Sequence, residues 1–274
     1  MSFATVLGEL TTQGPTLCVG LDPHPEVLER WECADSPEGL FHWVRAVIEE
    51  IAEAEVALVK PQVALFERHG VSGMASLSHL LGYLRESGVA TIGDAKRGDI
   101  GSTMAGYADA WLTPGADFEV DALTVSPYLG VTALAPALEL AATRGRGVFV
   151  LGATSNPEAQ EIQSALTSRG NTVVASVLED VARYVRTHPA AQGSHGVVIG
   201  ATVDQVFAGI DLATHPHLPI LAPGFGAQGA HLSDCKDIFA TSTRVIAVAA
   251  RSLLMGGRGG FTTAVAGAVQ ELGQ

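Results

Sequence analysis

The sequence is poor in what several large protein classes require. It holds only three cysteines, Cys18, Cys33 and Cys235, an odd number without a C-x-x-C pair. That argues against a disulfide framework and fits a reducing cytoplasm. No stretch approaches the roughly 18 apolar residues of a membrane helix. Residues 1–10 have no basic region and only short apolar runs, so no signal peptide is expected. Positive charge is also scarce. Lys and Arg number 16 against 29 Asp and Glu, a formal net charge of −13. Nucleic-acid binding wants a basic footprint, so no nucleic-acid partner is expected. An anionic ligand would need a local cationic pocket. There is no G-x-S-x-G elbow and no P-loop. The histidines lack metal-ligand spacing. His215-Pro216-His217 falls in a proline-rich turn before a predicted strand, and reads as a solvated loop.

What the chain does have is a recurring pattern. It is 274 residues long with 47% hydrophobic content, enough for one large core. Short apolar runs predict strands over residues 16–22, 56–62, 89–96, 118–126, 147–155, 196–202, 219–224 and 245–251. Amphipathic stretches predict helices over 41–54, 73–87, 103–112, 133–143, 172–187 and 204–212, with a final one near 262–272. Eight strands alternating with helices imply an α/β chain folded as a (β/α)8 TIM barrel. A doubly wound open sheet is the alternative. No linker or composition break divides residues 1–274, so a single barrel domain is expected. Segment 156–171 is long and polar for a βα connection and reads as an active-site loop.

The strand ends carry the chemistry. Ile92-Gly93-Asp94-Ala95-Lys96-Arg97-Gly98-Asp99-Ile100 places Asp94, Lys96 and Asp99 in a D-x-K-x-x-D spacing. On an extended backbone, Asp94 and Lys96 share one face. A lysine beside two carboxylates stays protonated, and can deliver a proton to a carbanion forming next to it. The bland alternative is an exposed ion-pair cluster worth little energy. Other predicted strands end in Asp22, in Lys60-Pro61-Gln62, in Thr154-Ser155-Asn156-Pro157 and in Arg251. In a barrel these ends converge on one face, where active sites sit.

Gly224-Phe225-Gly226-Ala227-Gln228-Gly229 matches G-x-G-x-x-G literally. Only one strand follows it, and no acidic residue lies about 20 positions on, so a dinucleotide site is not expected. In a barrel, the loops after strands seven and eight cradle phosphate instead. Glycines let backbone N–H groups approach an anion, and Arg251 adds a forked cation.

Taken in order along the chain, the motifs resemble those of the orotidine 5′-phosphate decarboxylase family, in its longer bacterial subgroup. They are Val19-Gly20-Leu21-Asp22-Pro23, Val59-Lys60-Pro61, Asp94 to Ile100 followed by Thr103, Thr154-Ser155-Asn156-Pro157, the Pro223 to Gly229 loop, and Arg251-Ser252. The resemblance implies decarboxylation of orotidine 5′-monophosphate to UMP in de novo pyrimidine synthesis, without metal or cofactor. It implies that Lys96 protonates C6 of the pyrimidine. Asp94 and Asp99 would hold Lys96 near the departing carboxylate, and Lys60 would complete the charge array. Asp22 would bind a ribose hydroxyl and Ser155 the pyrimidine amide edge. Gln228 and Arg251 would grip the phosphate, with Gly226 in the same substrate-binding loop. The resemblance further implies a homodimer in which Asp99, Ile100 and Thr103 reach into the neighbouring site.

Three rivals keep their place at this point. Sugar-phosphate enzymes of the same barrel superfamily, the keto-gulonate phosphate decarboxylase and hexulose phosphate synthase group, share D-x-K-x-x-D but hold magnesium with carboxylates. Lys60 is an unwelcome neighbour for that metal. A Schiff-base aldolase needs a lysine of lowered pKa, which flanking carboxylates oppose. A non-catalytic nucleotide-binding scaffold would have no use for the charge array.

Overall fold

The computed structural model describes residues 1–273. Eight strands run β1 Thr16–Leu21, β2 Leu58–Pro61, β3 Ala90–Arg97, β4 Ala122–Val125, β5 Gly147–Ala153, β6 His195–Ile199, β7 Ile220–Pro223 and β8 Val245–Ala249. Each pairs in parallel with the next. β1 pairs with β8 through Thr16↔Ile246 to Val19↔Ala249, which closes the barrel. The expected (β/α)8 barrel is therefore the fold.

Buried parallel strands read as near-continuous apolar runs because both of their faces are covered. β1, β6 and β8 are buried at every position. Inside the barrel, Leu58, Ile92, Phe149, Leu221 and Ile246 pack into one cluster. The outer faces pack against the helices in a larger one. The helices obey local rules. Pro37–Glu53 starts with Ser36 accepting from the Gly39 N–H and with proline in its first turn. Ala135–Arg144 ends at Gly145, which supplies the left-handed φ of +66° for the cap.

Three features differ from expectation. First, helix Phe3–Leu10, absent from the sequence reading, plugs the floor of the barrel. Ser2 caps it, and Phe3 and Leu7, four apart on one face, enter the interior cluster. Phe3 meets the Phe149 ring edge-on at 6.2 Å. A Cβ at Gly147 would lie 2.6 Å from the Phe3 ring. Second, the helix expected over 204–212 does not form. The Asp204 carboxylate accepts from the Phe207 N–H at 3.0 Å and sets a turn. Gly209 then takes φ +69°, outside the helical region, and only a 3-10 turn, Leu212–Thr214, follows. Third, β2 and β4 are shorter than predicted. Phe118, for example, stacks on Trp111 at 5.3 Å outside the sheet.

The polar segment 156–171 contains one short helix, Ala159–Gln163. His215 is not freely solvated. It is half-buried, with Nε2 at 3.4 Å from Glu179 Oε2; His217 is exposed. Among the described residues, no helix is long and apolar enough to cross a membrane.

Candidate active site

β3 sets the geometry of the site. Its ladder to β4 slips between Gly93 and Arg97, and Lys96 takes a left-handed φ of +50°. Asp94 and Lys96 thus converge through a bulge rather than through the regular alternation expected of an extended strand. Lys96 Nζ lies 2.6 Å from Asp94 Oδ1. From the end of β2, Lys60 Nζ lies 2.6 Å from Asp94 Oδ2. Gln62 Nε2 donates to the same Oδ2 at 3.1 Å, and its Oε1 accepts from Lys96 Nζ at 3.4 Å. Thr124 Oγ1, on β4, donates to Asp94 Oδ1 at 3.0 Å. One carboxylate therefore accepts from two ammonium groups, an amide and a hydroxyl.

Lys60 and Asp94 are only 4% and 8% exposed. Burial by itself would push the Asp94 carboxyl up. Lys60 and Lys96 outweigh that and hold it well below the usual carboxylate range. Burial likewise opposes the Lys60 ammonium, but Asp94 and then Asp22 raise its pKa above the ordinary lysine value. Lys60 and Asp94 are dry, while the Lys96 side chain is 43% exposed at the cavity; the trio carries a net positive charge, which suits an anionic ligand.

A cavity of about 400 Å³ opens beside the trio. Leu151, Val198, Leu221 and Val248 form its apolar floor, and Asp22, Lys60, Asp94 and Lys96 line one wall. Asp22 Oδ1 is buried without a hydrogen-bond partner. Ser155, Gln228 and Arg251 line the other wall. Ser155 Oγ donates to Gln228 Oε1 at 2.8 Å, joining the β5 and β7 loops. The glycine loop turns through positive φ at Gly224 and Gly226. A Cβ at Gly226 would sit 2.5 Å from Ser252 Oγ. The Ala227 and Gln228 N–H groups have no backbone partner. Arg251 Nε is 3.5 Å from Glu26 Oε1, with both side chains about half exposed.

Seven of the eleven expected site residues thus meet in one cavity: Asp22, Lys60, Asp94, Lys96, Ser155, Gln228 and Arg251. Gly226 shapes the loop beside it. Asp99 does not reach Lys96 within this chain. Its Oδ1 accepts from the adjacent Ile100 N–H at 2.8 Å. Ile100 is 61% exposed and Thr103 is exposed too. Within one chain, then, Lys96 pairs with one carboxylate, not two. Gln62 and Thr124 were not foreseen as site residues. A usable signal for the array existed: the chain has only three lysines, and two of them meet at Asp94. Among the described residues, no group of three or more His, Cys, Asp or Glu side chains is placed to hold a metal ion.

Fold and site together define a class, a (β/α)8-barrel enzyme with a lysine–aspartate–lysine array at its catalytic face and a glycine-rich loop opposite. More narrowly, the chain belongs to the orotidine 5′-phosphate decarboxylase / HUMPS family, whose profile matches residues 15–258. It is 47% identical over 241 residues to the orotidine 5′-phosphate decarboxylase of Salinispora tropica, covering 88% of this chain and 85% of that one. It is 46% identical over 245 residues to the Corynebacterium glutamicum enzyme of the same name, covering 87% and 84%. A solved Streptomyces avermitilis structure assigned to orotidine 5′-phosphate decarboxylase superposes with a TM-score of 0.91 at 41% identity, covering 99% of this chain and 94% of that one.

Proposed function

We propose that this chain decarboxylates orotidine 5′-monophosphate to UMP in pyrimidine biosynthesis. The observation that carries the reading is the Lys60–Asp94–Lys96 array, with both Asp94 oxygens taken by ammonium groups. Loss of carbon dioxide from C6 leaves an electron pair in the ring plane, where the pyrimidine cannot delocalise it well. An ammonium held in place by Asp94 stabilises that pair without reorganising, the more so once bound substrate covers the partly exposed Lys96 side chain. In the proposed step the C6–carboxylate bond breaks heterolytically, the pair stays on C6, and Lys96 gives C6 a proton that solvent later restores.

The remaining roles are part of the same proposal, and the lining of one cavity by these side chains supports them. Asp94 holds Lys96 in place, and Lys60 and the open Asp22 oxygen face the ribose. Ser155 meets the amide edge of the base. Gln228 and Arg251, with the free amides of the loop around Gly226, take the phosphate. Phosphate binding, remote from C6, helps to place the base against the array. No cofactor has a step in this scheme.

We read residues 1–274 as one decarboxylase domain acting in the cytoplasm on a small nucleotide. The free thiols of Cys18, Cys33 and Cys235 support that compartment. We also read the working enzyme as a homodimer, with Asp99, Ile100 and Thr103 serving the neighbouring site. The exposed Ile100, Tyr128 and Leu129 support an interface on that side of the barrel mouth.

The test is loss of orotidine monophosphate absorbance with purified protein in excess EDTA. Rapid formation of UMP is expected. No conversion, together with magnesium-dependent turnover of a sugar phosphate, would move the chain to the metal-dependent branch of the superfamily. Sedimentation at assay concentration tests the dimer; an active monomer would remove it.

A further inference from the structure

Lys96 is one of three non-glycine residues at positive φ among those described, with Glu32 and Glu55. It is the only one of the three in a strand, and it carries the ammonium that faces the cavity. A strained backbone persists only where its surroundings over-determine it. Among those surroundings, one hydroxyl bonds both the Lys96 backbone and the carboxylate that holds its ammonium. The β3–β4 ladder slips at Lys96, so its N–H has no strand partner. That N–H donates to Thr124 Oγ1 at 3.0 Å. The same Oγ1 lies 3.0 Å from Asp94 Oδ1.

Each direction is fixed by chemistry. A backbone amide can only donate, and a carboxylate held ionised can only accept, so the hydroxyl bridges the two. Gly93 O, the other acceptor within reach, is farther away at 3.5 Å. Lys96 Nζ returns to Asp94 Oδ1 at 2.6 Å. The result is a closed ring: Lys96 N–H, Thr124 hydroxyl, Asp94 carboxylate, Lys96 ammonium. Both ends of one lysine are tied to the same hydroxyl–carboxylate pair.

We propose that Thr124 is a positioning residue for the decarboxylation, its buried hydroxyl locking the bulged Lys96 backbone to the carboxylate that aims the Lys96 ammonium. The proposal rests on the reading of Lys96 as the proton donor. Thr124 is 1% exposed and does not line the cavity, so it acts through Asp94 and Lys96 and never touches substrate. Its neighbours Leu123 and Val125 are buried and apolar. Valine would suit this strand position equally well, and the hydroxyl is what threonine adds. Without it, a part-buried N–H loses its partner and the bulge loses one of the bonds that hold it. The ammonium would then sample positions away from C6, and small misplacements of a reacting group are costly in rate.

The test compares Thr124→Val, which keeps the shape, with Thr124→Ser, which keeps the hydroxyl. The Val variant should lose about 10- to 100-fold in kcat. KM and calorimetric UMP affinity should stay within about threefold, the signature of an interaction needed only in the transition state. The Ser variant should recover kcat to within about threefold of the parent, as expected if the hydroxyl's positioning and not the methyl's packing matters. UMP binding by the Val variant shows that the barrel is folded. Parental kcat in Thr124→Val would overturn the proposal, and so would an equal loss in both variants. A fall in UMP affinity matching the fall in kcat would show a merely structural role and overturn it as well. The parent's own turnover separates the two levels. A parent that does not consume orotidine monophosphate overturns the functional reading and this proposal together; an active parent matched by Thr124→Val overturns the proposal alone.

Discussion

The two walls of the barrel mouth are built on opposite terms. Around β2 and β3, Asp94 accepts from Lys60, Gln62, Lys96 and Thr124, and Lys60 is almost wholly buried. Around β7 and β8, Arg251 is half exposed beside Glu26, and two loop amides are unpartnered. There Gly224, Gly226 and Gly229 all sit at positive φ. The difference suits the two kinds of work proposed for these walls. Stabilising charge that develops in a transition state needs groups that do not move. Gripping a remote anion needs a segment that can admit ligand and then close. In the first wall the Asp94 carboxylate is saturated with hydrogen bonds, although Asp22 Oδ1 beside it is open and the Lys96 side chain is 43% exposed, whereas the second keeps two loop amides available.

The largest effect should come from the fixed wall. Lys96→Ala should cut kcat by about 10³-fold or more while thermal melting stays near the parent's. Activity within tenfold would break the contrast at its centre.

Mild acid separates the fixed wall from the barrel beneath it. Burial drives the His195 imidazole from 6.5 down to about 4, with its Nε2 facing the Leu138 carbonyl at 2.9 Å. Asp94 is held far lower and stays ionised throughout that window. Well above pH 6.5 His195 is neutral in both folded and unfolded chains, so its contribution to stability is complete. As pH falls from 6.5 towards 4, the unfolded chain takes up a proton that the folded barrel refuses. Stability should fall by about 3 kcal/mol at most. Denaturant unfolding at pH 7.5 and pH 5 should show this slope in the parent and a flatter one in His195→Gln. Equal slopes would remove His195 as the cause.

On the open wall, Arg251→Ala should weaken UMP binding about 10- to 100-fold, the worth of a charged hydrogen bond. It should raise KM more than it lowers kcat. Unchanged affinity by calorimetry would take Arg251 out of the cradle. The smallest effect belongs to Glu26→Gln. An exposed ion pair is worth under about 1 kcal/mol, so freeing Arg251 should tighten UMP at most about fivefold. A weaker complex instead would mean that Glu26 presents Arg251 to the ligand rather than competing for it.

The barrel was legible because its eight strands are apolar runs bounded by glycine, proline and polar ends. Their ends hold seven of the eleven expected site residues in one cavity. The missing parts fail for separable reasons. The stretch 204–212 has helical periodicity, but Asp204 and Gly209 each prefer turn geometry, and the local preference wins. Helix Phe3–Leu10 does carry a helical signal, with Phe3, Val6, Leu7 and Leu10 at i, i+3, i+4 and i+7 behind a Ser2 cap, but at eight residues it is short and gains its core contacts only from the barrel floor. The bulge at Lys96 has no glycine to announce it. Thr124 looks like an ordinary strand threonine, because a β-branched residue there needs no special explanation. Within one chain Asp99 turns back on its own neighbour, which spacing does not predict, while its expected place in a neighbouring site stays a matter of the proposed dimer.

The pairing of Thr16 with Ile246 has a consequence for how the molecule comes into being. The first strand made must wait for the last. Until Val245–Ala249 leaves the ribosome, β1 and β7 each present a bare ladder edge, the feature that invites pairing with foreign strands. Loops closed over nearly the whole chain also form slowly. The vulnerable moment for this protein is therefore the end of its synthesis, and a chain cut short before Val245 would be exposed to aggregation rather than merely inactive.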